Sequence, residues 1–271
     1  MELKLLTFNI WDVPLHLSLN RHERAHRIGG YLKKWTPDII CLQEAFDVEH
    51  RRRIREDVGN HDYNIIEEYD ETRRTLLFKR FDLTGGLVIL SRYPIKESLF
   101  TPFKRPLRMT LPERIGRKGF LKALIETPAG PLLVVNTHLC SPGLWTNHRM
   151  RIFQIKQLLE DLGGSNNVPI ILAGDLNEDL ALGGEDFFQL IKNAGFDDGA
   201  EFFGQAEKPT RRSENVYDDK WYGNGDGSHR LDYILLRNPK NNFKFSDYRV
   251  LSQPREITLS DHEPVLATLR A

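Results

Sequence analysis

Six polar clusters lie at the ends of short apolar runs, or in one case at the start of a run: Thr7-Phe8-Asn9, Gln43-Glu44, Asn136-Thr137-His138, Gly174-Asp175-Leu176-Asn177, Arg230-Leu231-Asp232-Tyr233 and Ser260-Asp261-His262. Each alone has an ordinary structural reading, in which Asn9 or Asp175 caps a turn and Glu44 ends a strand in solvent. Together they supply what attack of water on phosphorus needs: a hard cation to neutralise charge, a base to deprotonate water, and polar side chains to hold both in line. Glu44 and Asn9 offer hard oxygen ligands suited to Mg²⁺, which keeps most of its waters and takes only one or two carboxylates. Neither cysteines nor closely spaced histidines suggest zinc. His262 and His138 can exchange protons with the attacking water or the leaving oxygen, because ordinary histidine titrates at about 6.5. Asp175 and Asn177, two apart on an extended chain, are expected to share one face and to orient water and a phosphoryl oxygen.

The elements that must position these groups are legible as short runs. Leu3 to Phe8, Ile39 to Leu42, Gly86 to Leu90, Leu132 to Val135, Ile170 to Ala173, Leu231 to Leu236 and Val265 to Leu269 read as buried or half-buried strands. From Arg21 to Trp35, Ala25, Ile28, Leu32 and Trp35 fall on one helical stripe, with Asn20 and Glu23 predicting its N-terminal cap. Asn147 to Leu162 repeats the pattern through Ile152, Ile155, Leu159 and Leu162. Strands early and late, with helices between only some of them, predict a mixed pair of sheets flanked by helices. The polar, glycine-rich stretch from Gln205 to His229 is the longest irregular segment, and loops of that length tend to be functional.

Composition narrows the remaining classes. The 271 residues, 40% hydrophobic with 15 Phe, suffice for one large domain over residues 1–271. A formal net charge of zero provides no global basic field for nucleic acid or anionic membrane, although a local basic cleft would serve a nuclease. Two cysteines, Cys41 and Cys140, predict buried thiols rather than a disulfide framework. No apolar run reaches the roughly 20 residues of a membrane span, so the chain is expected to be soluble and monomeric. It is expected to be cytoplasmic, or secreted if a leader has been cleaved. Arg51 to Arg53 read as a solvated helix face, and His22, His26, His50, His61 and His148 as surface or structural residues. Trp145, Trp221 and Tyr222 fall in expected loops, where they either pack on their own loop or meet a membrane interface or choline headgroup.

The set Gly-Asp-Leu-Asn, Arg-Leu-Asp-Tyr and Ser-Asp-His, in that order, resembles the endonuclease/exonuclease/phosphatase superfamily from Leu5 to Leu269. That resemblance implies a four-layered α/β sandwich with the site at one edge of two sheets. It implies that Glu44, helped by Asn9, holds Mg²⁺, with Mn²⁺ or Co²⁺ as substitutes. His262 is then the general base and Asp232 orients it, with Asp175 and Asn177 acting on the nucleophile and transition state. Asp175 is catalytic without being fixed as base or stabiliser beside the Asp261-His262 pair. His138, where apurinic endonucleases carry tyrosine, is similar to DNase I and the sphingomyelinases. Asn9-Ile10-Trp11-Asp12-Val13-Pro14 before Arg21, Arg24 and Arg27, and the strand exit Ser91-Arg92-Tyr93-Pro94-Ile95, resemble the neutral sphingomyelinase branch. Lys118 fits a lysine of that branch, whereas its aspartate position is taken by Glu113, and both are implied to meet substrate together with Trp221 and Tyr222. The resemblance therefore implies phospholipase C-type cleavage of a choline phospholipid approached from water. A DNase I-like nuclease, a phosphatase of soluble esters and a binding protein with an inactive site are the alternatives.

Overall fold

The computed structural model describes residues 1–14, 17–59, 62–67, 85–104, 117–141, 147–165, 167–217, 227–254 and 258–271. Glu113, Trp145, Trp221, Tyr222 and His61 lie outside the described residues.

The strands are β1 (Glu2–Asn9), β2 (Ile39–Gln43), β3 (Asn64–Glu67), β4 (Val88–Ser91), β5 (Ile95–Pro102), β6 (Gly119–Thr127), β7 (Gly130–His138), β8 (Ile170–Asp175), β9 (Asp197–Asp198), β10 (Asp232–Arg237), β11 (Lys244–Val250) and β12 (Val265–Arg270). Among the described residues they form two six-stranded sheets, ordered β11-β12-β1-β2-β4-β3 and β5-β6-β7-β8-β10-β9. β1 with β2 and β7 with β8 run parallel. The other pairs are antiparallel, so both sheets are mixed.

Consecutive side chains in a strand point to opposite faces, and the central strands are apolar on both. In β1, Leu3 and Leu5 enter the core between the sheets, while Leu6 and Phe8 face a second core. That second core is closed by α1 (Arg21–Lys34) and α2 (Val48–Gly59) through Ile28, Leu32, Ile54 and Val58. In β8, Ile171 and Ala173 join the central core, whereas Ile170 and Leu172 meet α3 (Asn147–Leu162) and α4 (Glu185–Asn193) through Ile155, Leu158, Phe187 and Ile191. The order helix, sheet, sheet, helix is the expected four-layered sandwich.

Five strands carry no uninterrupted apolar run, which is why run-reading passes over them. β5 is a largely exposed edge, and β6 places Leu121, Ala123 and Ile125 in the core with Lys122 interrupting them. β3 and β9 are short, and β11 buries only Tyr248 and Val250, on either side of exposed Arg249 and after half-buried Phe245, Ser246 and Asp247. α3 spans the expected residues, with Leu158 joining Ile155 and Leu162 at the buried centre and Ile152 and Leu159 at its margin. Asn20 starts α1 but does not cap it through its side chain. Its backbone is left-handed at φ 51°, and its Nδ2 donates to Tyr217 Oη at 3.2 Å instead. Arg51 is also corrected: α2 turns it inward, with Nε donating to Ala45 O, whereas Arg52 and Arg53 are solvated and pair with acids of the same helix. Cys41 and Cys140 are buried thiols, as expected, and are not joined in a disulfide.

Candidate active site

Strand pairing brings the polar clusters to one edge of the sandwich. Asn9 ends β1 opposite Gln43, the last residue of β2, so Glu44 emerges beside it. His138 ends β7 opposite Asp175 of β8, and Asp175 in turn faces Asp232, the first residue of β10. His262 lies three residues ahead of Val265, the partner of Thr7 in β1. Gly174 permits this convergence: its φ is +139°, and a Cβ there would stand 2.0 Å from Thr137 O. Only glycine allows so close an approach.

Asp175 is the hub. Its Oδ2 accepts from Asn9 Nδ2 at 3.0 Å and lies 3.4 Å from His138 Nε2 and 3.9 Å from His262 Nε2. Its Oδ1 accepts the Asn177 backbone N–H at 2.9 Å. β8 ends at Asp175 and Asn177 is left-handed at φ 52°, so the expected extended alternation is replaced by a tight turn. Asn177 remains buried and its Nδ2 donates to Leu139 O at 3.1 Å. Asn9 places its amide nitrogen towards Asp175, because its Oδ1 accepts the Trp11 N–H at 3.0 Å.

His262 Nδ1 lies 2.7 Å from Asp232 Oδ2, both groups being buried, which leaves Nε2 facing the hub. Burial opposes charge on this ring, but Asp232, Asp175 and Asp261 outweigh it and raise its pKa well above the usual histidine value. His138 behaves oppositely. Burial first, then Lys118 and His262, push its pKa well below the usual value, so it is neutral where the sequence predicts a proton exchanger. Lys118 Nζ donates to His138 Nε2 at 3.0 Å, to Leu139 O at 2.7 Å and to Ser141 Oγ at 3.0 Å. An ammonium on Nε2 places the imidazole proton on Nδ1.

Glu44 is half-buried in a left-handed conformation at φ 53°, with Oε1 3.8 Å from His138 Nε2. Its Oε2 is buried without a hydrogen-bond partner. Desolvation, reinforced by Asp261, pushes its carboxyl up to about 7. Burial raises Asp175 and Asp261 as well. Carboxyl groups this close and this dry are short of positive charge, and an oxygen without a partner is the donor a hard cation takes. Asp175, Asp232 and His262 also offer ligand atoms within 4.8 Å of one another, and the last two are already joined to each other through Oδ2 and Nδ1 at 2.7 Å.

Several supporting groups, three of them members of the polar clusters, acquire a role only in the fold. Gln43 Nε2 donates to Asn136 Oδ1 at 2.7 Å, and Asn136 Nδ2 donates to Leu42 O and Val88 O, so these residues brace the two sheets beneath the site. Thr210 Oγ1 accepts the Leu231 and Asp232 N–H groups, and Ser260 Oγ donates to Asn9 O at 2.6 Å. Arg211 bridges backbone to both His229 and His262. The Gln205 to His229 segment, legible only as a long loop, supplies Thr210 and Arg211 to the site.

A two-sheet sandwich with a His-Asp pair, a hub carboxylate and an outlying glutamate at one edge defines an endonuclease/exonuclease/phosphatase-like architecture. The chain belongs to the Endonuclease/Exonuclease/phosphatase family, whose sequence pattern matches residues 6–262. It is similar to Sphingomyelinase C of Leptospira interrogans, at 26% identity over 207 residues, which cover 70% of this chain and 36% of that protein. Phospholipase C of Staphylococcus aureus is 26% identical over 259 residues, covering 86% of this chain and 73% of that one. Among solved structures, Staphylococcus aureus beta toxin, a F277A, P278A mutant with bound magnesium ions, superposes with a TM-score of 0.77 at 20% identity, covering 98% of this chain and 99% of the toxin. D. rerio TDP2 complexed with a single-strand DNA product gives 0.73 at 19% identity, covering 100% and 99%. These two likenesses establish the shared fold.

Proposed function

We propose that this protein is a Mg²⁺-dependent phosphodiesterase of the phospholipase C type, folding as one domain over residues 1–271 and releasing the phosphorylated headgroup of a choline phospholipid such as sphingomyelin. The observation that carries the reaction class is the buried Asp232-His262 pair aimed at Asp175. The sphingomyelinase and phospholipase C relatives support the lipid branch over a nuclease or soluble-ester phosphatase.

The residues divide the work by position. His262 Nε2 takes a proton from the attacking water, and Asp232 fixes the ring through Nδ1 and stabilises the charge it gains. Asp175, held by Asn9 and the Asn177 N–H, directs that water. Asp261 adds to the negative field that sustains the imidazolium. Lys118, held by His138 Nε2, Leu139 O and Ser141 Oγ, sets its positive charge beside the phosphoryl oxygens, neutral His138 serves as its acceptor, and Asn177 is placed to assist. Glu44, with Asn9, would hold the cation, which supplies charge neutralisation at the phosphate when bound. Glu113, Trp221 and Tyr222 are proposed as substrate contacts on the resemblance alone.

The test is release of product from sphingomyelin, phosphatidylcholine, lysophosphatidylcholine and plasmid DNA, with Mg²⁺ or EDTA and His262→Ala as the blank. Phosphocholine released only with metal and only by the unaltered protein supports the proposal. Nicked DNA with untouched lipid overturns the substrate class, and unchanged turnover in the variant overturns the mechanism.

A further inference from the structure

Two segments near the site invert the usual polarity of a protein surface. Between β1 and α1, Ser18 is only 5% exposed and its hydroxyl donates to Val13 O at 2.9 Å. Its neighbours Leu17 and Leu19 are turned outward, 57% and 59% exposed. In the second segment Asn215 turns inward, with Nδ2 donating to Ser260 O and Oδ1 accepting the Tyr217 N–H, both at 2.9 Å. Val216, between them, is 75% exposed. In both segments the polar residue is anchored and the apolar one presented.

The segments touch each other and the catalytic strands. Asn20, next to Leu19, donates to Tyr217, next to Val216, and the Trp11 and Tyr217 rings lie 5.3 Å apart. The Arg24 guanidinium sits 5.1 Å and 5.5 Å from those two rings and donates to the carbonyls of Ile10, Trp11, Leu19 and Leu259. Trp11 N–H holds Asn9, and Ser260 is the residue on which Asn215 is pinned. Scattered exposed leucines are ordinary on a soluble protein. Apolar side chains forced outward on two joined segments, both tied to catalytic residues, form a built surface instead.

We propose that Leu17, Leu19 and Val216 form a docking ledge that inserts into the surface of a zwitterionic choline-lipid bilayer and sets the catalytic edge against it. This rests on the phospholipid reading above and names how the substrate surface is met. The occupant follows from the chemistry of the ledge: its three presented side chains are all aliphatic, on a chain of zero formal net charge. Attachment is by apolar insertion, and the hydrogen bonds that fix the segments reduce the ordering cost of binding.

The test compares the unaltered chain with the triple variant Leu17→Ser, Leu19→Ser, Val216→Ser. Sedimentation with vesicles of phosphatidylcholine and sphingomyelin measures binding. Turnover is measured on the same vesicles and on a short-chain choline phospholipid below its micellar concentration. Full insertion of one leucine is worth roughly tenfold in partitioning, so the triple variant should bind vesicles and hydrolyse them at least about tenfold less well. Its turnover of the monomeric substrate should stay within about twofold, and raised salt should not release the unaltered protein. Equal vesicle binding by the two proteins overturns the ledge. So does binding that salt abolishes, or a dimer that the triple variant disperses, which would make this face a contact between copies of the chain. If the unaltered protein hydrolyses no lipid, the functional reading fails, while sedimentation still decides whether the ledge binds bilayers.

Discussion

Asp232→Asn removes a charge from the most enclosed point of the site and keeps its shape. In the unaltered protein, Asp232 Oδ2 lies 2.7 Å from His262 Nδ1 with neither group accessible. A hydrogen bond to a charged partner contributes about 1.5–3 kcal/mol net, so its loss alone should slow a step that forms imidazolium by roughly 10- to 150-fold. Asparagine can also present its NH₂ to Nδ1, which moves the imidazole proton to Nε2 and removes the base, and a tautomer error of this kind costs up to about 10⁴. The pH profile should move too. Asp232 is the largest of the carboxylate influences that raise His262, so without it the ring titrates lower and the acidic, rising limb of kcat/KM shifts to lower pH. Stability gives an independent readout in EDTA. A raised histidine stabilises the fold fully below its unfolded value of about 6.5 and loses that contribution as pH climbs through the folded value. The deficit of the variant in urea midpoint should therefore be greatest at about pH 6 and shrink in alkali. A kcat/KM within about threefold of the unaltered protein, with an unmoved pH midpoint, would refute the pairing of Asp232 with His262 as the catalytic device.

Glu44→Gln should abolish Mg²⁺-dependent turnover and the rise in Tm that Mg²⁺ gives the unaltered protein. The Glu44 carboxyl is raised to about 7, so its ionisation opposes folding as pH rises from about 4.5 to 7. In EDTA at pH 8 the glutamine variant should accordingly be more stable by about 1–2 kcal/mol, after allowance for partial exposure. Urea denaturation at pH 5 and pH 8 checks both signs. Gly174→Ala drives a methyl group into Thr137 O and should cost at least about 3 kcal/mol or prevent folding, as read by soluble yield and circular dichroism. Arg24→Lys keeps a charge but cannot reach the carbonyls of Ile10, Trp11, Leu19 and Leu259 together, and thermal denaturation should show a loss of about 2–4 kcal/mol.

The local chemistry was written in the chain. Apolar runs such as Leu3 to Phe8 and Ile170 to Ala173 announce central strands because both faces of those strands are buried, so the run is unbroken. Helical stripes place α1 and α3 because one face of each must be apolar. The residues of the site could be named because chemistry of this kind needs carboxylate, imidazole and amide groups, and few such clusters end apolar runs. What the chain could not announce is any property created by neighbours distant in sequence. His138 and His262 are the same residue type, yet burial and then Lys118 at one, and three carboxylates that outweigh burial at the other, send their protons in opposite directions. Asn9 and Asp175 are 166 residues apart, and only the pairing of β1 with β2 and of β7 with β8 and β10, stacked sheet on sheet, turns them into donor and acceptor. The inversion of Ser18 against Leu17 and Leu19 is likewise tertiary, since a serine is turned inward only where a carbonyl waits for it. Sequence sets which chemistry is available, and the fold decides protonation, orientation and exposure, because those depend on distance through space.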